Sequence, residues 1–265
     1  IRDSPWSGLN RAITQHALQE AGLAGRTLHA VSGLPVSAFY QKSGDHRQET
    51  ITKKQESLKQ SVHPIADVLP AGIAFHEVIP EALAAWYDYV IVEKDGKALL
   101  DEKQLSGPVA IVDIGGRTTD YVVVKNQGIL HASSGSLQCG MLDVKQQVAN
   151  GIQERFDLEI LNEQLVARAV DSKVVRLQGK DYDVAVLVDV AKREVVERIH
   201  AETRRQLGLG VELDHVLFVG GGTVALTDHI ANWFPHQAIA EHPAFANARG
   251  MLKYLRYVCE ASNAA

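Results

Sequence analysis

Asp113 closes an apolar run, Val109-Ala110-Ile111-Val112, and the chain then reads Ile114-Gly115-Gly116-Arg117-Thr118-Thr119-Asp120 before a second run, Tyr121-Val122-Val123-Val124. The pattern predicts two strands joined by a turn, with a carboxylate at the exposed end of the first. A carboxylate so placed can hold a hydrated Mg²⁺, which neutralises polyphosphate. Gly115 and Gly116 lack Cβ atoms, so their N–H groups can approach phosphate oxygens, and Thr118 and Thr119 add hydroxyl donors. A tight turn between two core strands has the same composition, and this stretch alone leaves both readings open.

A second glycine turn bears on that choice. Gly220-Gly221-Gly222 follows the apolar run Val216-Leu217-Phe218-Val219 directly and precedes Thr223 to Ile230, which has helical spacing. A glycine run between a strand and a helix start lets a phosphate or a planar base lie against the backbone. Three glycines also simply allow a helix to pack close to a strand. Taken together, the two turns predict a two-loop nucleotide cleft.

Such turns need elements to carry them. The hydrophobic pattern of the second half predicts strands at Val109–Asp113, Asp120–Lys125 and Gly128–Ser134, then a helix from about Leu142 to Phe156. After a helical insert come a long helix near Asp189–Leu207, a strand at Val216, a helix to Phe234, a strand at Gln237–Ala240 and a closing helix Phe245–Cys259. In the first half, Leu9, Ile13, His16 and Ala17 recur at helical spacing and Gly22 stops that helix. A strand Thr27–Ser32, a helix ending near Val62 and a strand Gly72–Ile79 follow, and Pro80 opens a helix Glu81–Tyr89. Leu177–Asp183 and Val92–Lys97 read as exposed hairpins.

The stretch Asp113 to Asp120 resembles the second phosphate loop of the superfamily that joins actin, the heat-shock chaperone ATPases and the sugar kinases, and Val216 to Gly222 resembles its adenosine loop. Gly33-Leu34-Pro35-Val36, Lys53-Lys54-Gln55-Glu56-Ser57-Leu58, Val78-Ile79-Pro80-Glu81-Ala82 and Ala246-Asn247-Ala248-Arg249-Gly250 make the chain similar, more narrowly, to the ParM/StbA plasmid-segregation branch of the bacterial actins. The resemblance implies an α/β chain with the actin-like ATPase fold, two ribonuclease-H-like domains holding nucleotide between them. Residues 1–106 are then an incomplete first domain without its N-terminal strands and first phosphate loop, and 107–265 a second domain with an insert at about 156–190. Without those strands the Thr27 strand would lie on an open sheet edge, so further residues are expected.

From the same resemblance come the implied cofactors, ATP or ADP with Mg²⁺, and the implied roles. Asp113 is the metal-associated catalytic carboxylate, and Gly115, Gly116, Thr118, Thr119, Gly220, Gly221 and Gly222 bind the nucleotide. Glu81 orients the attacking water, in a chemistry where alignment and electrostatics do most of the catalysis. A glutamate in a first helical turn also favours the helix dipole, by ~0.3–1 kcal/mol, with no catalytic duty. The implied activity is ATP-driven polymerisation into filaments of the protein itself, which segregate plasmid or mobile-element DNA through a DNA-bound adaptor. A nucleotide-binding scaffold of this fold without effective hydrolysis is the alternative. A sugar or acid kinase is a further one, but the sequence offers neither its sugar loop nor its second catalytic aspartate.

Composition fits a cytoplasmic globule. The 46% apolar content can build real cores, and a formal charge of −5 argues against direct nucleic-acid binding. No run of 18 apolar residues and no signal-peptide pattern points to a membrane. Cys139 and Cys259, the only cysteines, read as free thiols, and the eleven histidines show no metal-ligand spacing.

Overall fold

The computed structural model describes residues 4–63, 69–94 and 97–259. The chain divides into two compact units, Ile1–Glu102 with Asn247–Ala265, and Lys103–Ala246.

The first unit opens with α1 (Gly8–Glu20), then β1 (Thr27–Leu34), α2 (Val36–Phe39), α3 (Gln48–Lys59), β2 (Gly72–Pro80) and α4 (Leu83–Val90). β3 (Ile91–Lys94) and β4 (Lys97–Leu100) pair antiparallel as the expected hairpin, whose tip at 95–96 lies outside the described residues, and α5 (Glu102–Ser106) leads onward. Ser7 caps α1 by accepting the Asn10 N–H, and Gly22 at φ +73° ends it as the sequence predicts. The helix docks by its polar side. Gln15 donates to the Ala71 carbonyl at 2.8 Å and accepts the Ala71 N–H at 3.0 Å, while Leu9 and Ile13 of the apolar stripe are 54% and 59% exposed. β1 and β2 run parallel, from Thr27 opposite Gly72 to Leu34 opposite Pro80, and Leu34, Phe39, Ile51 and Val78 form a small core beside them. The helix expected to begin at Glu81 begins at Leu83 instead, because Ala82 has φ +62°, outside helical space.

His76 on β2 is buried in this unit. Its Nδ1 donates to the Gln55 carbonyl at 3.1 Å, which can only accept, and in the neutral ring that burial favours Nε2 accepts the Ser32 hydroxyl at 2.8 Å. Burial holds its pKa below the ordinary histidine value, the Gln55 carbonyl pulling partly the other way. Because the unfolded chain binds this proton more tightly, stability present above the unfolded pKa of about 6.5 declines as pH falls through that value toward the lower folded one. Urea melts at successive pH values are expected to show this decline in the wild type and a shallower one in His76→Gln. Identical slopes would contradict the assignment.

The second unit contains β5 (Val109–Ile114), β6 (Thr119–Lys125), β7 (Gly128–Ile129), β8 (Gly135–Leu137), α6 (Met141–Phe156), α7 (Glu163–Ser172), β9 (Val174–Leu177), β10 (Lys180–Asp183), α8 (Ala185–Leu207), β11 (His215–Val219), α9 (Gly221–Ala225) and β12 (Gln237–Ile239). The closing helix α10 (Ala246–Tyr254) falls with the first unit from Asn247 onward. The main sheet has the order β12-β11-β5-β6-β7, with β8 also on β6. β11 runs parallel to β5 and β12, and β5 to β8 form an antiparallel meander. Ala110, Val112, Ile114, Tyr121, Val123, Val216 and Phe218 face Val144, Val148 and Ile152 of α6 and Val188, Val195 and Ile199 of α8 in one fully buried core. Two expected elements are interrupted. The strand Gly128–Ser134 breaks at a 3₁₀ turn, His131–Ser133, where the Ser134 hydroxyl meets the Val123 N–H and the Leu130 carbonyl. The helix expected to reach Phe234 stops at Ala225 and is followed by a 3₁₀ turn, Thr227–His229.

Candidate functional site

In the second unit the two glycine turns meet. Strand β5 lies between β6 and β11, so Asp113 sits opposite Asp120 on one side and Val219 on the other. Gly220 follows Val219 at once, with φ +91°, and a Cβ there would strike Asp113 Oδ1 and the Ile114 carbonyl. A Cβ on Gly222 would stand 2.6 Å from Ile114 Cγ2 and 2.7 Å from its carbonyl. These two glycines let the loop lie directly on the end of β5. Gly221 differs, since a Cβ there meets nothing within 4 Å.

That contrast is testable. Gly220→Ala combines a positive-φ backbone with a clash against main chain, and is expected to cost about 2–5 kcal/mol of unfolding free energy. Gly221→Ala should stay within about 0.5 kcal/mol of the wild type. Equal urea midpoints for the two variants would contradict the packing described.

The Asp113 turn is anchored from below. Gly115 donates its N–H to the Thr118 carbonyl at 2.9 Å, closing the hairpin loop. The carbonyls of Gly115 and Gly116 accept the Met141 and Leu142 N–H groups at 3.1 and 2.8 Å, satisfying donors at the start of α6. Gly140 must be glycine for this approach, its Cβ position lying 2.6 and 2.7 Å from those carbonyls. Thr119 is fully buried, and its hydroxyl donates to the Cys139 carbonyl at 2.9 Å. Of the donors read from the sequence, the Gly115 N–H and the Thr119 hydroxyl are therefore spent inside the fold. Gly116 and Arg117 are exposed and Thr118 is half-buried.

Asp120 joins this site although its sequence context implies no role for it. Directly paired residues of an antiparallel hairpin project to the same face, so the buried Asp113 and Asp120 form a carboxylate pair, Asp120 accepting the Ser136 hydroxyl. The seven-residue spacing across a four-residue turn is the signal that would have revealed it.

Among the described residues no cluster of three or more His, Cys, Asp or Glu could hold a metal ion. A nucleotide-bound Mg²⁺ needs no such cluster, because one or two carboxylates with water and phosphate oxygens complete its shell. Asp113, a carboxylate beside the two glycine turns, fits that donor set.

Glu81 belongs to the first unit, in a turn between β2 and α4. Its N–H donates to the Leu34 carbonyl at 2.8 Å, and a Cβ on Gly33 would lie 2.6 Å from its Cγ and 3.0 Å from its Oε1. Lys54 is buried nearby, donating to the Pro5 carbonyl at 2.9 Å and to Asn10 Oδ1 at 3.2 Å. Desolvation lowers the Lys54 pKa and the Glu81 charge raises it in part. Asn247 Oδ1 accepts the Ala82 N–H at 3.1 Å. The four short stretches singled out in the sequence therefore converge on Glu81, and Gly33, Lys54 and Asn247 are neighbours that motif reading placed in the right segments without a role.

Comparison with known proteins bears on the fold that carries these residues. The family model of the N-terminal part of the plasmid segregation protein ParM matches residues 4–91, and that of the C-terminal part of the archaeal actin homologue MreB-like matches residues 111–232. No curated protein sequence matches the chain. Among solved structures, a 15-stranded ParM filament from Clostridium botulinum aligns with TM-score 0.75 at 16% identity, over 96% of this chain and 75% of that one. The archaeal actin homologue Ta0583 in complex with ADP aligns with TM-score 0.72 at 22% identity, over 93% and 77%. Bacillus thuringiensis ParM with ATP aligns with TM-score 0.63 at 15% identity, over 96% and 74%. Likeness at these identities establishes the fold, which is the actin-like ATPase fold. The chain is thus similar to ParM over its N-terminal third and to an archaeal actin homologue over the part that follows, and it has the actin-like fold.

Proposed function

We propose that the protein is a nucleotide-dependent, filament-forming actin homologue that acts in the cytoplasm to segregate plasmid or mobile-element DNA through a DNA-bound adaptor. The observation that carries the reading is the meeting of the Asp113 turn and the Gly220–Gly222 turn at one end of the β5–β11 pair. Solved relatives described with ADP, with ATP and as a filament support it. In this reading Asp113 would hold the Mg²⁺ of a bound ATP or ADP through water, and the metal when bound neutralises the phosphates. Gly116, Thr118 and Gly221 occupy the accessible side of the two turns and are assigned to the nucleotide. Gly115, Thr119, Gly220 and Gly222 shape the turns that present them. Glu81 is assigned the orientation of the attacking water, a task for which a carboxylate need only align the nucleophile or take a late proton.

The first unit is read as an incomplete copy of the second. In the second unit β11 pairs with β5 as well as with β12, whereas among the described strands β1 pairs only with β2. Val144, Val148 and Ile152 of α6 are buried while Leu9 and Ile13 of α1 are exposed. The open edge of β1 and the stripe on α1 are the places where three further strands would seat. High-speed sedimentation with Mg-ATP, with Mg-ADP and without nucleotide tests the proposed function. For the protein carrying those further strands, pelleting that depends on Mg-ATP is expected, and equal pelleting in all three conditions would refute nucleotide-driven assembly.

A further inference from the structure

Ala82 is fully buried and has φ +62° and ψ −44°. The Leu83 N–H donates back to the Glu81 carbonyl at 2.7 Å, closing a γ-turn of the positive-φ kind. That turn is rare and strained, and a strained backbone persists only where its surroundings hold it. The holds can be named. Upstream, the Glu81 N–H is fixed to the Leu34 carbonyl at the end of β1. At the turn itself, the Ala82 N–H is accepted by Asn247 Oδ1, on a residue 165 positions away in α10. The helix that carries Asn247 is in turn fastened to α4. Arg249 reaches the Asp88 carboxylate from Nε at 3.0 Å and Nη2 at 2.6 Å, and Lys253 Nζ reaches Asp88 Oδ1 at 2.7 Å and its carbonyl at 2.8 Å. Gly250 brings the two helices into backbone contact, since a Cβ there would strike the Ala84 carbonyl.

The γ-turn sets the direction in which the Glu81 side chain leaves the backbone, and Gly33 leaves room for its Cγ and Oε1. We propose that Asn247 is a positioning residue for Glu81, its side-chain oxygen locking the strained turn that aims the carboxylate. This inference rests on the role assigned to Glu81 above. An acceptor at Ala82 is needed because a buried N–H without a partner is costly, so its loss lets the turn relax toward an unstrained conformation. Catalysis that works by alignment is sensitive to such a shift, a displacement of about 1 Å being enough for a large loss of rate.

The test is a double-mutant cycle on ATP turnover with Asn247→Ala, Glu81→Ala and the two combined, each at saturating Mg-ATP and with nucleotide affinity measured in parallel. Asn247→Ala is expected to slow turnover by about 10- to 100-fold while affinity stays within about twofold. Asn247→Asp, which keeps the acceptor oxygen, should recover most of the rate, and Asn247→Ala should slow the Glu81→Ala protein no further. Asn247→Ser, polar but too short to reach the Ala82 N–H, replaces the alanine variant if that one does not fold. A wild-type rate in Asn247→Ala, or an equal slowing in the Glu81→Ala background, would overturn the inference and leave the role of Glu81 standing. A wild-type rate in Glu81→Ala would overturn the reading of Glu81 and this inference with it.

Discussion

In the full-length protein, Asp113→Ala is expected to remove Mg²⁺-dependent ATP binding while the second unit stays folded. Asp113 is the penultimate residue of β5, its carboxylate against Gly220, at the point where the two glycine turns meet. Removing a carboxylate that holds the hydrated cation of a bound nucleotide should cost roughly 2–3 kcal/mol or more in binding, about 30- to 150-fold or more in affinity. The fold should tolerate the change because Asp113 faces Asp120 across the hairpin, and deleting one of two like charges relieves repulsion. Asp113→Asn keeps the shape and removes the charge, so it should lose affinity to a similar degree. Calorimetric titration with and without Mg²⁺, beside a thermal melt, reads both properties. Unchanged Mg-ATP affinity in a folded Asp113→Ala protein would sink the assignment.

For Glu81→Ala the expected result is the opposite division of effects: ATP affinity and polymerisation persist, and hydrolysis slows by on the order of 10²-fold. Polymers should then last longer after a pulse of ATP. The structure removes the helix-dipole explanation in its simple form, because α4 begins two residues after Glu81 and Ala82 between them is not helical. A γ-turn, the Leu34 carbonyl and Asn247 fix the backbone on either side of Glu81. Phosphate release followed in single turnover measures the step. If release proceeds at the wild-type rate, Glu81 is only a residue at a strand end.

Much of the second unit was legible in the sequence, for a physical reason. Strands β5, β6 and β11 are buried on both faces and read as continuous apolar runs, and α6 repeats Val144, Val148 and Ile152 at helical spacing. The two turns that meet at Asp113 announce themselves by glycines whose missing Cβ atoms the packing requires. What stayed hidden depends on contacts between distant segments. Nothing near Gly115 or Thr119 reveals that an N–H and a hydroxyl are already taken, because the partners depend on the hairpin register and on the position of Cys139. The start of α4 lies two residues beyond the position its sequence predicts, because a proline before a helical pattern usually opens the helix and here a strained alanine held from α10 delays it. In α1 the periodicity was right, yet the helix docks through Gln15 and Arg11, a polar attachment that a hydrophobic pattern does not encode.

In the proposed function ATP binding assembles the protein and ATP hydrolysis takes the assembly apart. Light scattering and phosphate release recorded together after addition of a limited amount of Mg-ATP test it most directly. The expected trace is a rise in scattering that precedes phosphate release, followed by a fall as the ATP is consumed, with the rise lost in Asp113→Ala and the fall delayed in Glu81→Ala. Scattering that does not respond to Mg-ATP, or phosphate release at the same rate in wild type and both variants, would contradict the account.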